Sequence, residues 1–157
     1  MNQRIAYDKA GPGLVQALYG LEKYLRTTGL EKGLLDLVRL RASQINGCAY
    51  CVDMHGKDLR AAGETDERLN SLVVWRESPY YTDRERAALA WTEAVTLIAK
   101  DHAPDDVYAW ARQQFEEKEL VDLTAAIVAI NSWNRLAISF RVPAGTYQPA
   151  QHPAAMA

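Results

Sequence analysis

The sequence predicts an all-α fold, on three observations. Apolar residues recur at intervals of three and four along almost the whole chain, no run alternates with period two among β-branched residues, and capping or breaking residues stand where the periodic segments begin and end. With 157 residues, 48% of them hydrophobic, the chain is long enough to bury one core without disulfide staples. A single bundle of about six to seven helices is expected over residues 1–157, with 141–157 as a tail.

The first helix is expected over residues 12–27, where Leu14, Leu18, Leu21 and Leu25 form one stripe, opened by Pro12 and closed by Gly29. The second lies in EKGLLDLVRLRASQI, with Leu34, Leu37, Val38 and Arg41 in register, and is interrupted at Asn46-Gly47. A third starts at Cys48 and runs to Gly63, tolerating Gly56 at a propensity cost of about 1 kcal/mol relative to Ala. Thr65 caps a short helix that ends before Ser78-Pro79, and Thr82 with Glu85 forms a capping box that opens a long one reaching about Lys100. Pro104 starts the next, to about Phe115. EKELVDLTAAIVAINSWNRLAISF is then apolar enough to run through the middle of the bundle. The tail, RVPAGTYQPAQHPAAMA, is Pro- and Ala-rich and is expected to dock on another surface, a neighbouring subunit being one choice.

Charge and composition narrow the function classes. The formal net charge is -2 and the 18 basic residues are scattered, which leaves no electrostatic footprint for nucleic acid or an anionic membrane. No apolar stretch reaches signal-peptide or membrane-span length, so a cytoplasmic location is expected. Thiols are kept reduced there, and a close cysteine pair is more often catalytic or metal-binding than a permanent crosslink.

Both cysteines and one of the three histidines fall within INGCAYCVDMHG. At about 100° per residue, positions three and seven beyond Cys48 return to within roughly 60° and 20° of it, so Cys48, Cys51 and His55 share one helix face. A helix N-terminus favours a thiolate, and an imidazole one turn beyond Cys51 is placed to accept or pass a proton. Zinc prefers the same ligand types but needs a fourth, and the remaining histidines, His102 and His152, belong to no paired motif. The residues alone leave three readings open: dithiol redox chemistry, a metal site, and a buried helical turn that contains sulfur.

The wider segment DLVRLRASQINGCAYCVDMHGKDLRAAGETDERL resembles the core of the alkylhydroperoxidase D-like proteins of the carboxymuconolactone decarboxylase superfamily. Their motif is an acidic residue, eleven others, then C-x-x-C-x-x-x-H. The likeness continues through WRESPYYTDRERAALAWTEAVTLIA and ELVDLTAAIVAINSWNRLAI, and covers about residues 30–140. The resemblance implies an all-α fold whose subunits assemble into dimers, trimers or hexamers. It also implies a peroxidase in which Cys51 attacks peroxide to become a sulfenic acid, Cys48 resolves it to a disulfide, and His55 relays protons. Asp36, twelve positions before Cys48, falls where the family usually has glutamate. It is one methylene shorter and is expected to reach the relay through a water. Tyr50 stands where some members have a further relay histidine. Helix-start logic alone favours Cys48 as nucleophile; the resemblance favours Cys51, which His55 follows by four residues.

The other candidates have plainer readings. Arg39 and Arg41 are expected in surface or intersubunit salt bridges, with pairing to Asp36 or support of a thiolate as the alternative. Glu85 belongs to the capping box, and Glu93 is a candidate for partial burial near the site. Trp91, Trp110 and Trp133 are expected as core or interface anchors. Asn131, Asn134 and Arg135 interrupt the most apolar helix and call for hydrogen-bond partners on other helices or subunits. His102 reads as a loop residue. The leading expectation is therefore a thiol peroxidase that consumes a small hydroperoxide, is restored by an external dithiol reductant and requires no organic cofactor. The alternatives are a lactone decarboxylase working by general acid–base chemistry, and a non-enzymatic helical oligomer that binds a metal or a partner.

Overall fold

The computed structural model describes residues 2–149, and every described element is helical. In chain order these are α1 (Tyr7–Ala10), α2 (Pro12–Leu25), α3 (Lys32–Asn46), α4 (Ala49–Ala61), α5 (Asp66–Ser71) with a 3-10 turn at Leu72–Val74, α6 (Asp83–Thr96), α7 (Ile98–Asp101), α8 (Asp105–Gln114) and α9 (Glu117–Phe140). Among the described residues no helix is long and apolar enough to cross a membrane.

The hub is α3, which packs against α4, α6 and α9 alike. Its sequence explains why: Leu34, Leu35, Leu37, Val38 and Leu40 are buried all round, so one helix feeds two clusters. Leu34, Leu35 and Val38 join Leu25, Trp91, Phe115, Leu123 and Ile127 from α2, α6, α9 and the α8–α9 junction. Leu37 and Leu40 face Leu59, Leu69, Leu72, Trp75 and Leu89. Of the polar interruptions of α9, Arg135 is answered within the helix, by the Asn131 carbonyl and side chain, and the two asparagines between helices: Asn46 Nδ2 donates to the side-chain oxygens of both Asn131 and Asn134 at 2.9 Å. Asn134 Nδ2 donates in turn to Ser43 Oγ at 3.1 Å, and Asn131 Nδ2 to Thr96 Oγ1 at 3.1 Å. These bonds pin the end of α3, and with it the start of α4, to the middle of α9.

Caps fall where the sequence places them, with Thr65 accepting from the Arg68 amide and Thr82 with Glu85 closing a capping box. Two elements differ. The helix from Thr82 stops at Thr96, turns at Leu97 and continues only as α7, and Leu97 and Ile98 at the break are exposed among the described residues. The single turn α1 has too few residues to show a period; it is held by its neighbours, with Arg4 N donating to Phe140 O at 2.9 Å and the Tyr7 ring 5.9 Å from that of Phe140.

Gly47 makes the turn between α3 and α4. It is left-handed, φ 69° and ψ 32°, and the Cys48 amide reaches back to Ser43 O at 3.0 Å while its own reaches Gln44 O at 3.2 Å. A Cβ here would meet nothing within 4 Å, so Gly47→Ala tests backbone conformation alone. It is expected to cost about 1 kcal/mol in urea unfolding. An unchanged unfolding midpoint would show that the turn relaxes freely.

Candidate active site

The Gly47 turn delivers Cys48 to the N-cap of α4, where its sulfur accepts the Cys51 amide at 3.3 Å. Cys48 and Cys51 are joined as a disulfide, with Cα atoms 5.3 Å apart. Both are buried, next to Ala137 of α9. A crosslink spanning three residues removes little entropy from the unfolded chain, about 2 kcal/mol on the loop-closure relation, so its value as a staple is small.

Beside the disulfide lies a cavity of about 690 Å³, and the two cysteines relate to it differently. Cys51 lines it, together with His55 and Asp36; Cys48 does not. His55 is 7% exposed, and its Nε2 is buried without a hydrogen-bond partner among the described residues. Burial first, and then the positive charge of Arg39, push the imidazole down to about 4 against a smaller opposing pull from Asp36. The ring is therefore neutral near pH 7, a form that carries one lone pair and one N–H. It suits passing a proton on better than storing one.

Asp36 is buried, and its carboxylate is taken up by Lys32 Nζ and by Arg39 Nη1 at 3.0 Å. No direct hydrogen bond links it to His55 among the described residues. Arg39 is the correction to the surface reading: its guanidinium also reaches Glu22 Oε2 of α2 at 2.9 Å, and Glu22 Oε1 accepts the Trp133 indole N–H at 3.2 Å. Asp36, Arg39, Glu22 and Trp133 thus form one chain of contacts along the cavity wall. Trp133 is a lining residue, unlike Trp91, whose indole donates to Thr124 within the bundle. Arg41 instead pairs with Glu93 at 2.7 Å, which also accepts from Trp75 and Arg76. Burial works against the Glu93 charge, but these donors outweigh it and hold the carboxyl below its ordinary range. Glu93 does not line the cavity, and His102 is an exposed loop residue.

The described part of the tail closes the far side. Lys57 Nζ donates to Tyr147 O at 3.0 Å, the Gly145 amide to Asp53 at 3.1 Å, and the Tyr147 hydroxyl to Asp58 at 2.6 Å. The tail therefore docks on α4 of its own chain through Gly145 and Tyr147; residues 150–157, which include His152, lie outside the described residues. Burial and the bond to Asp58 push the Tyr147 phenol up to about 12, so it stays a protonated donor. Sequence reasoning passed over Glu22 and Tyr147. Glu22 carried a signal, a carboxylate beside the Leu18–Leu21–Leu25 stripe; Tyr147 carried none, since a chain reversal brings it back. Among the described residues no three His, Cys, Asp or Glu side chains gather as a metal-ion donor set.

The profile of the Carboxymuconolactone decarboxylase family matches residues 12–94, the segment that carries Asp36, both cysteines and His55. The chain belongs to this family. It is 39% identical to the uncharacterized protein YdfG of Bacillus subtilis over 139 residues, covering 88% of this chain and 95% of that one. A shorter match, 41% identity over 64 residues, joins it to the alkyl hydroperoxide reductase AhpD of Mycobacteroides abscessus, covering 41% of this chain and 33% of the reductase. Among solved structures, an Agrobacterium tumefaciens protein of unknown function, a candidate AhpD antioxidant defence protein, superimposes with a TM-score of 0.89 at 48% identity. That likeness covers 93% of this chain and 100% of the other, so the fold is AhpD-like.

Proposed function

We propose that this family member is a thiol-dependent peroxidase. One observation carries the reading: Cys51, His55 and Asp36 line the cavity together while Cys48, bonded to Cys51, does not, which suits a division into attacking and resolving thiols. The Cys51 thiolate attacks the distal oxygen of a hydroperoxide ROOH; the O–O bond breaks, Cys51 becomes a sulfenic acid, and the alkoxide leaves as ROH with a proton passed through His55. The Cys48 thiol then attacks the Cys51 sulfur, forming the disulfide and releasing water. An external dithiol reduces the disulfide and is itself oxidised, so each turnover consumes one hydroperoxide and one dithiol. Arg39 favours negative charge in the cavity, and Asp36, held by Arg39 and Lys32, tempers its effect on His55.

The same reading places the protein in a reducing compartment, the cytoplasm, as a homo-oligomer with no nucleic-acid or membrane partner. A lactone decarboxylase would use Asp36, Glu22 and His55 without the sulfurs, and Cys51→Ser separates the two. The direct test starts from fully reduced protein. Titratable thiols are expected to fall from two per chain to none after one equivalent of peroxide and to return with a dithiol. Two thiols surviving excess peroxide would end the proposal.

A further inference from the structure

The size and lining of the cavity bear on which hydroperoxide it takes. At about 690 Å³ it is in the roughly 300–1,000 Å³ range of sites for organic ligands, far beyond the space that hydrogen peroxide needs. Its wall is unusually aromatic: four of the eight tyrosines and one of the four tryptophans line it. Tyr7, Tyr19, Tyr50, Trp133 and Tyr147 come from α1, α2, α4, α9 and the tail, so five separate elements converge on one space. The Tyr19 and Trp133 rings already meet at 5.4 Å, tilted by 51°. Tyr50 lines the cavity with Cys51 and packs against the cluster of Cys48, Cys51 and Ala137. Most charges in the wall are taken up by neighbours, with Lys32 and Arg39 on Asp36, Arg39 on Glu22 and Asp58 accepting from the Tyr147 hydroxyl, while Arg26, exposed at the cavity, makes no side-chain hydrogen bond or ion pair among the described residues.

We infer that the cavity selects hydroperoxides that carry an aromatic ring. This rests on the peroxidase reading for the hydroperoxide and on the wall for the ring. The ring lies among the tyrosines and Trp133, and its O–OH group points to Cys51; ring contacts of this kind add to the gain from burying the apolar surface.

Cumene hydroperoxide and tert-butyl hydroperoxide test this, because both are tertiary and differ by phenyl in place of methyl. After normalisation to their rates with free dithiothreitol, the ratio of kcat/KM values is expected to exceed about 10, and Tyr19→Leu is expected to lower it several-fold. In parallel, the redox-inert alcohols 2-phenylpropan-2-ol and tert-butanol are titrated into the disulfide form, followed by tryptophan fluorescence. The aryl alcohol is expected to bind at least about ten times more tightly. Preferential binding of the aryl alcohol with no peroxide consumed would uphold the aromatic selection and reject the peroxidase reading. Peroxide consumption at a ratio near one, with no preference between the alcohols, would overturn this inference and leave the peroxidase standing.

Discussion

Cys51→Ser is expected to lower peroxide turnover by at least about 10³-fold, because a hydroxyl is almost wholly protonated near neutral pH and has no access to the sulfenic acid step. Cys48→Ser should behave differently. It keeps the thiol that lines the cavity, so one equivalent of peroxide should still be consumed in a burst, leaving a sulfenic acid on Cys51 that a dimedone-type reagent labels. The contrast tests the assignment of roles as well as the need for sulfur. If Cys48→Ser loses the burst and Cys51→Ser retains it, the helix-start logic was right and the nucleophile is Cys48. A Cys51→Ser protein as active as the parent would remove thiol chemistry from the account.

The second large effect is on stability. His55 has an imidazole pushed down to about 4 in the folded protein, against about 6.5 when exposed. Between these values the unfolded chain binds a proton that the folded chain does not, so stability falls as pH drops through the window from 6.5 to 4. The stabilisation is complete above 6.5, and the loss amounts to about 3 kcal/mol once pH is below 4. Lys32 and Arg39 oppose protonation of this ring and Asp36 favours it, so the depression is chiefly a matter of burial. Urea unfolding of the disulfide form at pH 7 and pH 4.5 measures the slope, and His55→Leu should flatten it by the His55 share. Identical slopes in the two proteins would show that the imidazole is not buried as described.

The helical plan was legible in the sequence because the period, the caps and the breaks agreed. Thr65, Thr82 with Glu85, and Asn46-Gly47 mark their boundaries by local chemistry that needs no tertiary context. The placing of Cys51 and His55 together was legible for the same reason, since both sit on α4 and line the cavity, whereas Cys48, at the N-cap in extended conformation, is bonded to Cys51 but is not part of the cavity wall. What sequence spacing could not supply was convergence between elements. Arg39 looks like a surface residue until α2 brings Glu22 to it, and Trp133 looks like a core anchor until the cavity opens beside it. The sequence predicts a longer α6 because an apolar pattern records what is available for burial, whereas Leu97 and Ile98 are left exposed by the described residues of this chain.

In the proposed peroxidase cycle the position of Cys48 would also govern the closing step. Its sulfur is buried, is not part of the cavity wall and accepts the Cys51 amide at the start of α4. An incoming dithiol arriving through the cavity meets the Cys51 sulfur, and Cys48 is then the leaving group, its departing charge received by an amide and a helix terminus. In the proposed cycle oxidant and reductant would thus share one doorway and alternate in it. Steady-state kinetics should accordingly give parallel lines in double-reciprocal plots, with excess dithiol competing against the hydroperoxide for the reduced protein.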